Sequence, residues 1–140
     1  MEFRYAEESD AAFLAEINRQ LIEDEWDGGG MSLQRLEERM LRWIREDDYT
    51  AVLFLEEGAT VAYSMVSVDE DSAYIRHFFV LKEHRGKGVG RGLIEAVYER
   101  AKEAGGSRVH WLTHESNDTA RLLYDRIADR SGFIQYRKIL

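Results

Sequence analysis

A glycine-rich, basic stretch between an apolar segment and a helical one constrains the fold of this 140-residue chain more than any other feature. The apolar segment, Ile75–Leu81, has few polar side chains, which is typical of a strand covered on both faces. The next residues, Lys82–Gly92, interleave basic side chains with four glycines, and a helical apolar pattern follows. A strand that leads through such a loop into a helix predicts a β-α unit, so a sheet with at least one crossover connection is expected.

The rest of the chain predicts antiparallel hairpins ahead of this unit, and a further helix and strand after it. Apolar and β-branched runs bounded by turn residues predict the strands Glu2–Ala6, Thr50–Glu56, Thr60–Val68, Ser72–Leu81, Arg108–Thr113 and Phe133–Ile139. Helical spacing predicts helices that begin near Ser9 or Asp10, at Ser32, at Gly88 and near Asn117 or Asp118. The predicted fold is a single α/β domain over residues 1–140, with a mixed sheet of six to seven strands flanked by about four helices.

Composition excludes several classes of protein. The chain has no cysteine, which rules out a disulfide framework, a zinc ribbon and a cysteine nucleophile, and no metal site is predicted. No apolar run approaches the roughly 20 residues that a membrane span needs. The start of the sequence lacks the pattern of a secretory signal. A cytoplasmic protein without membrane contact is therefore expected.

Charge is distributed unevenly along the chain. The formal net charge is −8, which disfavours a nucleic-acid partner because phosphate contacts need a basic face. Residues 1–81 hold 7 basic and 19 acidic side chains, whereas residues 82–140 hold 12 basic and 8 acidic ones. This asymmetry favours an anionic ligand on the second half and a cationic one on the first, although solvated acidic helices explain it equally well.

The stretch from Arg85 to Arg91 has the chemistry of an anion cradle. The unpaired N–H groups of a first helical turn, together with the helix dipole, attract an anion. Gly88 and Gly90 let a phosphate approach the backbone, and the basic side chains, including Lys87, add positive charge. A Walker loop is excluded because no Gly-Lys-Ser/Thr follows the required spacing, and the dinucleotide fingerprint fails in both registers.

Two motifs resemble those of a known enzyme family. Arg85-Gly86-Lys87-Gly88-Val89-Gly90 resembles the R-x-x-G-x-G/A signature of the GNAT N-acetyltransferases, in the same strand–loop–helix setting. Asn117-Asp118-Thr119-Ala120-Arg121-Leu122-Leu123-Tyr124 resembles the N-x-x-A-x-x-L/F-Y pattern of the last helix in that family. The resemblance implies an enzyme that transfers an acetyl group directly from acetyl-CoA to a primary amine.

The resemblance also implies roles for individual residues. It assigns binding of the CoA pyrophosphate to the loop and helix start, which comprise Arg85, Gly86, Lys87, Gly88, Val89, Gly90 and Arg91. It assigns backbone pairing with the pantetheine arm to Phe78 and Val80, and a pantetheine contact to Asn117. Tyr124 matches the usual general acid, and a tyrosine of pKa ~10 can protonate a departing thiolate at a cost of about 2 kcal/mol.

The general base is where the sequence departs from the family. Many members carry a carboxylate on the strand before the loop, whereas this chain has Arg76 and His77 there. His77 is the predicted base, because a histidine pKa near ~6.5 suits proton relay at neutral pH, and a core histidine is the equal alternative. Arg76 cannot accept a proton and is expected to pair with an acidic group or a substrate carboxylate. His114, Glu115 and a water chain are the other candidate bases.

Acceptor specificity is expected from the first two helices and the loop between them. Glu23, Glu25 and Trp26 belong to an acidic cluster that favours binding of a cationic amine, and a solvated helix end is the alternative. The favoured function is therefore acetylation of a small cationic amine. The alternatives are acetylation of a lysine-containing peptide or an N-terminus, a catalytically silent acyl-CoA-binding module, and a nucleotide-binding regulator. Assembly into a homodimer is left open.

Overall fold

The computed structural model describes residues 2–25, 31–69 and 71–140, with the side chains of residues 23–25 excepted. The described part contains four α-helices: α1 (Ala11–Glu25), α2 (Leu33–Arg45), α3 (Val89–Glu103) and α4 (Asp118–Ile127). It contains five strands: β1 (Glu2–Tyr5), β2 (Tyr49–Glu56), β3 (Ala59–Val68), β4 (Ser72–Val80) and β5 (Arg108–Trp111). Short 3₁₀ turns at Glu8–Asp10 and Lys82–His84 precede α1 and α3. The predicted number of helices is confirmed.

Capping side chains explain where the helices begin. Ser32 caps α2 and Asn117 caps α4, each by accepting a hydrogen bond from a backbone N–H of the first turn. Before α1, Glu7 and Asp10 form a capping box around the 3₁₀ turn, and the α-helix itself begins at Ala11, directly after the predicted caps Ser9 and Asp10. Within the described ranges, none of these helices combines the length and apolar composition required to cross a lipid bilayer.

The strands form one mixed sheet in the order β1-β2-β3-β4-β5. The first four strands pair antiparallel, and β5 pairs parallel to β4 after the crossover through α3. The mixed sheet is therefore confirmed. Its size in the described part is five strands rather than six to seven.

The predicted last strand, Phe133–Ile139, does not form in the structure. These residues join no ladder, and their side chains are exposed. β-Branched and aromatic residues favour a strand because their side chains fit the surface of a pleated sheet. Residue type does not indicate whether an unpaired strand edge is close enough to pair with the segment. The prediction is wrong because this segment meets no sheet edge of its own chain.

The sheet buries one apolar core on each face. α1 and α2 cover the face that carries Leu53 and Tyr63, whereas α3 covers the face that carries Phe54 and Val66. The alternation of faces between neighbouring residues is the ordinary period of a strand. Gly92 allows α3 to lie close to the sheet, because a Cβ at this position would be 2.9 Å from the Phe54 ring.

A bulge and an early end of pairing open the sheet between β4 and β5. Two successive residues of β3 pair with Ile75 and His77, so Arg76 is an extra residue in β4. β4 and β5 pair only over Ser72–Ile75 of β4. Beyond that point, residues 76–80 of β4 have no strand neighbour on this side within the described part, and a gap opens between the two strands.

Candidate active site

A cleft of about 920 Å³ occupies the gap between β4 and β5, near the top of the usual range of small-molecule sites. Its walls come from the end of β4, the loop before α3, the end of β5 and the start of α4. Lys87 and Val89 belong to the loop and helix start but do not line it. A smaller pocket near Glu56 and His84 contains none of the predicted residues. The predicted residues that line the cleft are Arg76, His77, Phe78, Val80, Arg85, Gly86, Gly88, Gly90, Arg91, Asn117 and Tyr124.

The loop before α3 presents backbone groups to the cleft. Gly88 caps α3 with φ 82°, a left-handed conformation that glycine adopts without strain. The N–H groups of the first turn, from Val89 onward, lie at the positive end of the helix dipole and have no acceptor within the helix. A Cβ on Gly90 would lie 3.6 Å from Leu123 of α4 and 3.8 Å from Phe78 of β4, so this turn sits where the elements of the cleft converge. The arrangement suits a phosphate group.

The basic side chains of the loop are held differently. Arg85 donates from Nε to the Val80 carbonyl oxygen at 2.9 Å, and its guanidinium lies 5.2 Å from the ring centroid of Phe79. These contacts tie the loop to the end of β4. Arg91 pairs with Glu95 at 3.3 Å on the surface. Because exposed pairs of this kind contribute only about 0–1 kcal/mol, Arg91 can exchange this partner for an anionic ligand.

The backbone of β4 turns polar groups toward the cleft. Leu81, just after the strand, donates its N–H to the Val61 carbonyl oxygen of β3. Because backbone groups alternate in direction along a strand, those of Phe78 and Val80 point away from β3 and toward the cleft. The Val80 carbonyl oxygen accordingly accepts from Arg85 on the cleft side. This edge can pair with an extended ligand that carries amide groups.

Tyr124 on α4 lies between the diverging strands. Its ring packs edge-on against Trp111 of β5 and Phe78 of β4, with centroid distances of 5.3 Å and 6.4 Å. α4 is oriented by its cap, in which Asn117 Oδ1 accepts from the Ala120 N–H at 3.4 Å. Two helical turns separate Asn117 from Tyr124, so both side chains lie on the face of α4 that lines the cleft.

His77 lies between the cleft and the core beneath α2. Its Nδ1 is 3.1 Å from the Tyr63 hydroxyl oxygen, and its ring centroid is 5.5 Å from that of Trp43. Burial, followed by the positive charges of Arg39 and Arg76, lowers the pKa of His77 to about 3. The imidazole is therefore neutral at physiological pH and shares a hydrogen bond with the Tyr63 hydroxyl.

Arg76 belongs to a stack of side chains that the sequence patterns did not reveal. The Arg39 guanidinium lies 4.7 Å from the ring centroid of Trp43, and Trp43 stacks on Tyr49 at 5.3 Å. The Arg76 guanidinium lies 5.6 Å from the Tyr49 centroid. Arg39, Trp43, Tyr49 and Arg76 are called the arginine–aromatic column below. In the sequence, Trp43 belongs to an apolar stripe along a helix. The signal that could have indicated the column is Arg39, which lies one helical turn earlier on the same face.

Two buried donors beside this column lack hydrogen-bond partners within the described ranges. They are Arg39 Nε and Asn18 Nδ2, although another Arg39 nitrogen donates to Asn18 Oδ1 at 2.8 Å. Burial lowers the pKa of the Arg39 guanidinium. In the described part, the contacts of Arg39 and Arg76 are aromatic rings and the polar side chains of Asn18 and Ser67 rather than carboxylates. Such donors require an acceptor.

The acidic cluster predicted to bind the acceptor falls on residues and side chains that the structure does not describe. Trp26 and the side chains of Glu23 and Glu25 lie outside the described residues. The part of α1 with described side chains reaches the cleft at Leu21, which lines it.

Comparison with known sequences identifies a family. A model of the acetyltransferase (GNAT) family matches residues 14–128. The D-amino-acid N-acetyltransferase HPA3 of Saccharomyces cerevisiae is 41% identical over 69 residues, which cover 49% of this chain and 43% of that protein. The match therefore spans less than half the length of this relative.

Solved structures share the fold at low sequence identity. AAC(6')-Iy in complex with a bisubstrate analogue superposes with a TM-score of 0.83 at 17% identity, over 99% of this chain and 98% of that one. Ribosomal-protein-alanine N-acetyltransferase from Brucella melitensis biovar Abortus 2308 has a TM-score of 0.81 at 16% identity, over 100% of both chains. Because the family match covers most of the sequence and the fold agrees, this chain belongs to the acetyltransferase (GNAT) family.

Proposed function

We propose that this chain acetylates the primary amine of a small molecule that also carries a carboxylate, in the cleft between β4 and β5. The observation that carries the proposal is that the glycine-rich basic loop before α3, the unpaired edge of β4 and Tyr124 line the same cleft. Bound acetyl-CoA supplies an activated acetyl thioester. The chain itself supplies binding, orientation and proton transfer.

The residues that line the cleft fit the chemistry of this donor. The backbone of Gly88 to Arg91 would hold its diphosphate, with Arg91 adding charge from the side. The backbone groups of Phe78 and Val80 would pair with its amide-bearing arm. Asn117, at the start of α4, would contact the same arm from the opposite wall.

Tyr124 suits the role of general acid. The departing thiolate has a pKa near ~8.5 by the cysteine reference, and a tyrosine near ~10 can protonate it against only about 2 kcal/mol. The ring of Tyr124 contacts Phe78, whose backbone would bind the donor, so its hydroxyl belongs to the same part of the cleft. This placement supports an acid role over simple packing.

The proton of the acceptor amine needs a different route. An amine of pKa ~10.4 lies about 3.4 units above pH 7, so its free form costs about 4.6 kcal/mol. His77 has a pKa of about 3. Moving the amine proton onto it would cost about 10 kcal/mol for the gap of about seven units. We therefore assign His77 a positioning role through Tyr63, and solvent or His114 in the open cleft takes the proton.

The carboxylate of the acceptor is the finer part of the proposal. Arg76 lines the cleft, whereas Arg39 and Asn18, which hold two buried donors without acceptors, do not line it. A carboxylate in the cleft would accept hydrogen bonds from the Arg76 guanidinium, and its charge would offset the positive charges of Arg76 and Arg39. The relative from Saccharomyces cerevisiae, named for its action on D-amino acids, supports an amino acid as the acceptor.

A small cationic amine without a carboxylate is the second candidate. It is favoured by the acidic cluster around Trp26, which includes Glu23 and Glu25. The two candidates make opposite demands on charge, because Arg39 and Arg76 repel a second ammonium group. A lysine-containing peptide combines both kinds of group and belongs in the same comparison.

The test is the rate of free-thiol release from acetyl-CoA with amino acids, polyamines and lysine peptides as acceptors. We expect turnover with amino acids.

Arg76→Gln should raise the KM for the amino acid about 10- to 100-fold, as expected for a lost charged hydrogen bond, and leave the KM for acetyl-CoA unchanged. Arg35→Gln, an exposed change on α2, is the matched control and should alter neither value. Turnover confined to polyamines would contradict the carboxylate, and no turnover with any acceptor would contradict the proposed reaction.

A further inference from the structure

Asn18 is a polar side chain within the apolar face of α1. It is only 1% exposed, and Leu14 and Leu21, one helical turn to either side of it, belong to the core. Its Oδ1 accepts a hydrogen bond from an Arg39 nitrogen at 2.8 Å. Its Nδ2 has no hydrogen-bond acceptor within the described part of the chain. A buried donor without a partner destabilises a fold, so packing alone does not explain this asparagine.

The Arg39 guanidinium meets Asn18 from α2. Its Nε is buried and likewise lacks an acceptor among the residues that the structure describes. The guanidinium also lies 4.7 Å from the ring centroid of Trp43. Because Arg39 and Asn18 are hydrogen-bonded to each other, their two unpaired donors flank one contact between α1 and α2.

The charge around this contact is positive. Burial lowers the pKa of Arg39 most, and the neighbouring charges of Arg42 and Arg76 lower it further. In the described ranges Arg39 contacts Asn18 and Trp43, and no carboxylate. A guanidinium that is taken out of water needs a negative charge beside it to offset the cost of burial.

We propose that a small monovalent inorganic anion, with chloride as the probe, binds between α1 and α2 and accepts hydrogen bonds from Arg39 Nε and Asn18 Nδ2. A single anion accepts from several N–H groups at once, and its charge offsets that of the guanidinium. The carboxylate of the acetyl acceptor is a different group, because neither Arg39 nor Asn18 lines the cleft.

A buried water molecule is the competing occupant. A water accepts hydrogen bonds, but it also brings two O–H donors that need acceptors of their own. At this contact, the buried side-chain atoms that lack partners in the described part are both donors. A water would therefore add unpaired donors and would leave the charge of Arg39 without an opposite charge, whereas an anion avoids both costs.

The anion would also act on the acceptor end of the cleft. Burial, followed by the charges of Arg39 and Arg76, lowers the pKa of His77. A bound anion would offset the charge of Arg39 and leave Arg76 as the cation that faces the acceptor. Anion binding does not depend on the reaction proposed above, because it is measured on the chain without acetyl-CoA or acceptor.

The test is thermal unfolding in sodium chloride and in sodium gluconate at equal ionic strength, since gluconate is too large for a site between two packed helices. We expect the Tm of the native chain to rise by about 4 °C when chloride reaches about ten times its Kd, and the increase to saturate. Arg39→Met keeps an unbranched apolar stem against Trp43 and should lose the difference between the two salts. Arg35→Met, the same change at an exposed position of α2, is the matched control and should keep the difference.

Asn18→Asp tests the same site from α1. Its carboxylate would pair with Arg39 in place of the anion, so the Tm of this variant should no longer respond to chloride. A response to chloride that persists in Arg39→Met or in Asn18→Asp would overturn the proposal.

A crystal of the native chain grown with sodium bromide tests the site even if a variant does not fold. Anomalous scattering should locate a bromide ion beside Arg39 Nε and Asn18 Nδ2. A water molecule at that position would overturn the proposal, and so would a native Tm that is equal in chloride and gluconate.

Discussion

The end of the cleft that we propose binds phosphate comes from one continuous segment, Phe78–Arg91, whereas the opposite end gathers side chains from α1, α2, β2 and β4. The first end acts mainly through backbone groups: the free edge of β4 and the first turn of α3. The second acts through side chains, chiefly the arginine–aromatic column beside His77. One end depends on where the chain turns, and the other depends on which residues the fold brings together.

This difference predicts how each end responds to substitution. A backbone site tolerates changes of neighbouring side chains but fails when a Cβ or a charge blocks the approach of the ligand. A side-chain site fails by degrees, because each lost group removes its own hydrogen bonds or charge. The largest effects are therefore expected at the glycines that we propose contact phosphate.

Gly90→Asp should cause the largest loss of acetyl-CoA binding. The substitution places a carboxylate at the phosphate-binding turn, where like charges repel at a cost of several kcal/mol. We expect Kd for acetyl-CoA, measured by calorimetry, to rise at least about 100-fold, which corresponds to about 2.7 kcal/mol.

Gly90→Ala is the matched control for this prediction. Its Cβ would meet Leu123 at 3.6 Å and Phe78 at 3.8 Å, which are ordinary contacts, so the variant should fold normally. The stability of both variants is measured by thermal unfolding. If Gly90→Asp folds and binds acetyl-CoA as tightly as the native chain, the phosphate-binding role of the α3 start is wrong.

Tyr124→Phe should lower turnover much more than binding. General acid catalysis contributes about 100-fold or more, and the substitution removes the hydroxyl while leaving the ring contacts with Phe78 and Trp111. We expect kcat to fall about 100-fold, with the Kd for acetyl-CoA nearly unchanged.

Tyr98→Phe provides the control, because Tyr98 also contacts Trp111 but donates its hydroxyl to the Ile127 carbonyl oxygen. This variant should keep most of its turnover. A Tyr124→Phe enzyme that loses binding and retains kcat would return Tyr124 to a packing role.

The same contrast explains what the sequence could predict. Glycines and basic residues at Arg85–Arg91 lie next to each other in the chain, and their conformation follows from local rules for helix starts. The cap at Asn117 and the spacing to Tyr124 are local as well. The number of helices, the mixed sheet and the lining of the cleft by most of these residues, Lys87 and Val89 excepted, were therefore accessible from the sequence.

Non-local features were not accessible. The contact of Arg39 with Trp43 is local in sequence. The proximity of this pair to Tyr49, Arg76 and His77 depends on how α2 packs on the sheet. The strand predicted at Phe133–Ile139 failed for the same reason, since strand formation depends on a partner edge supplied elsewhere. The low pKa of His77 likewise results from burial, from Arg39, which is distant in sequence, and from the neighbouring Arg76, and residue type alone does not reveal it.

His77 gives the smallest expected effect, and it tests the side-chain end directly. Its native pKa of about 3 lies below the unfolded value of 6.5, so between these values the unfolded chain binds a proton that the native chain does not. The free energy of unfolding should therefore rise with pH over this window and level off above it. Because of His77, the free energy of unfolding should be about 2 kcal/mol lower at pH 5 than at pH 7.5.

His77→Gln should lose this part of the pH dependence in urea titrations, whereas His110→Gln, at an exposed position on β5, should retain it. Equal pH dependence in the native chain and His77→Gln would mean that His77 titrates normally, which would restore it as a candidate base.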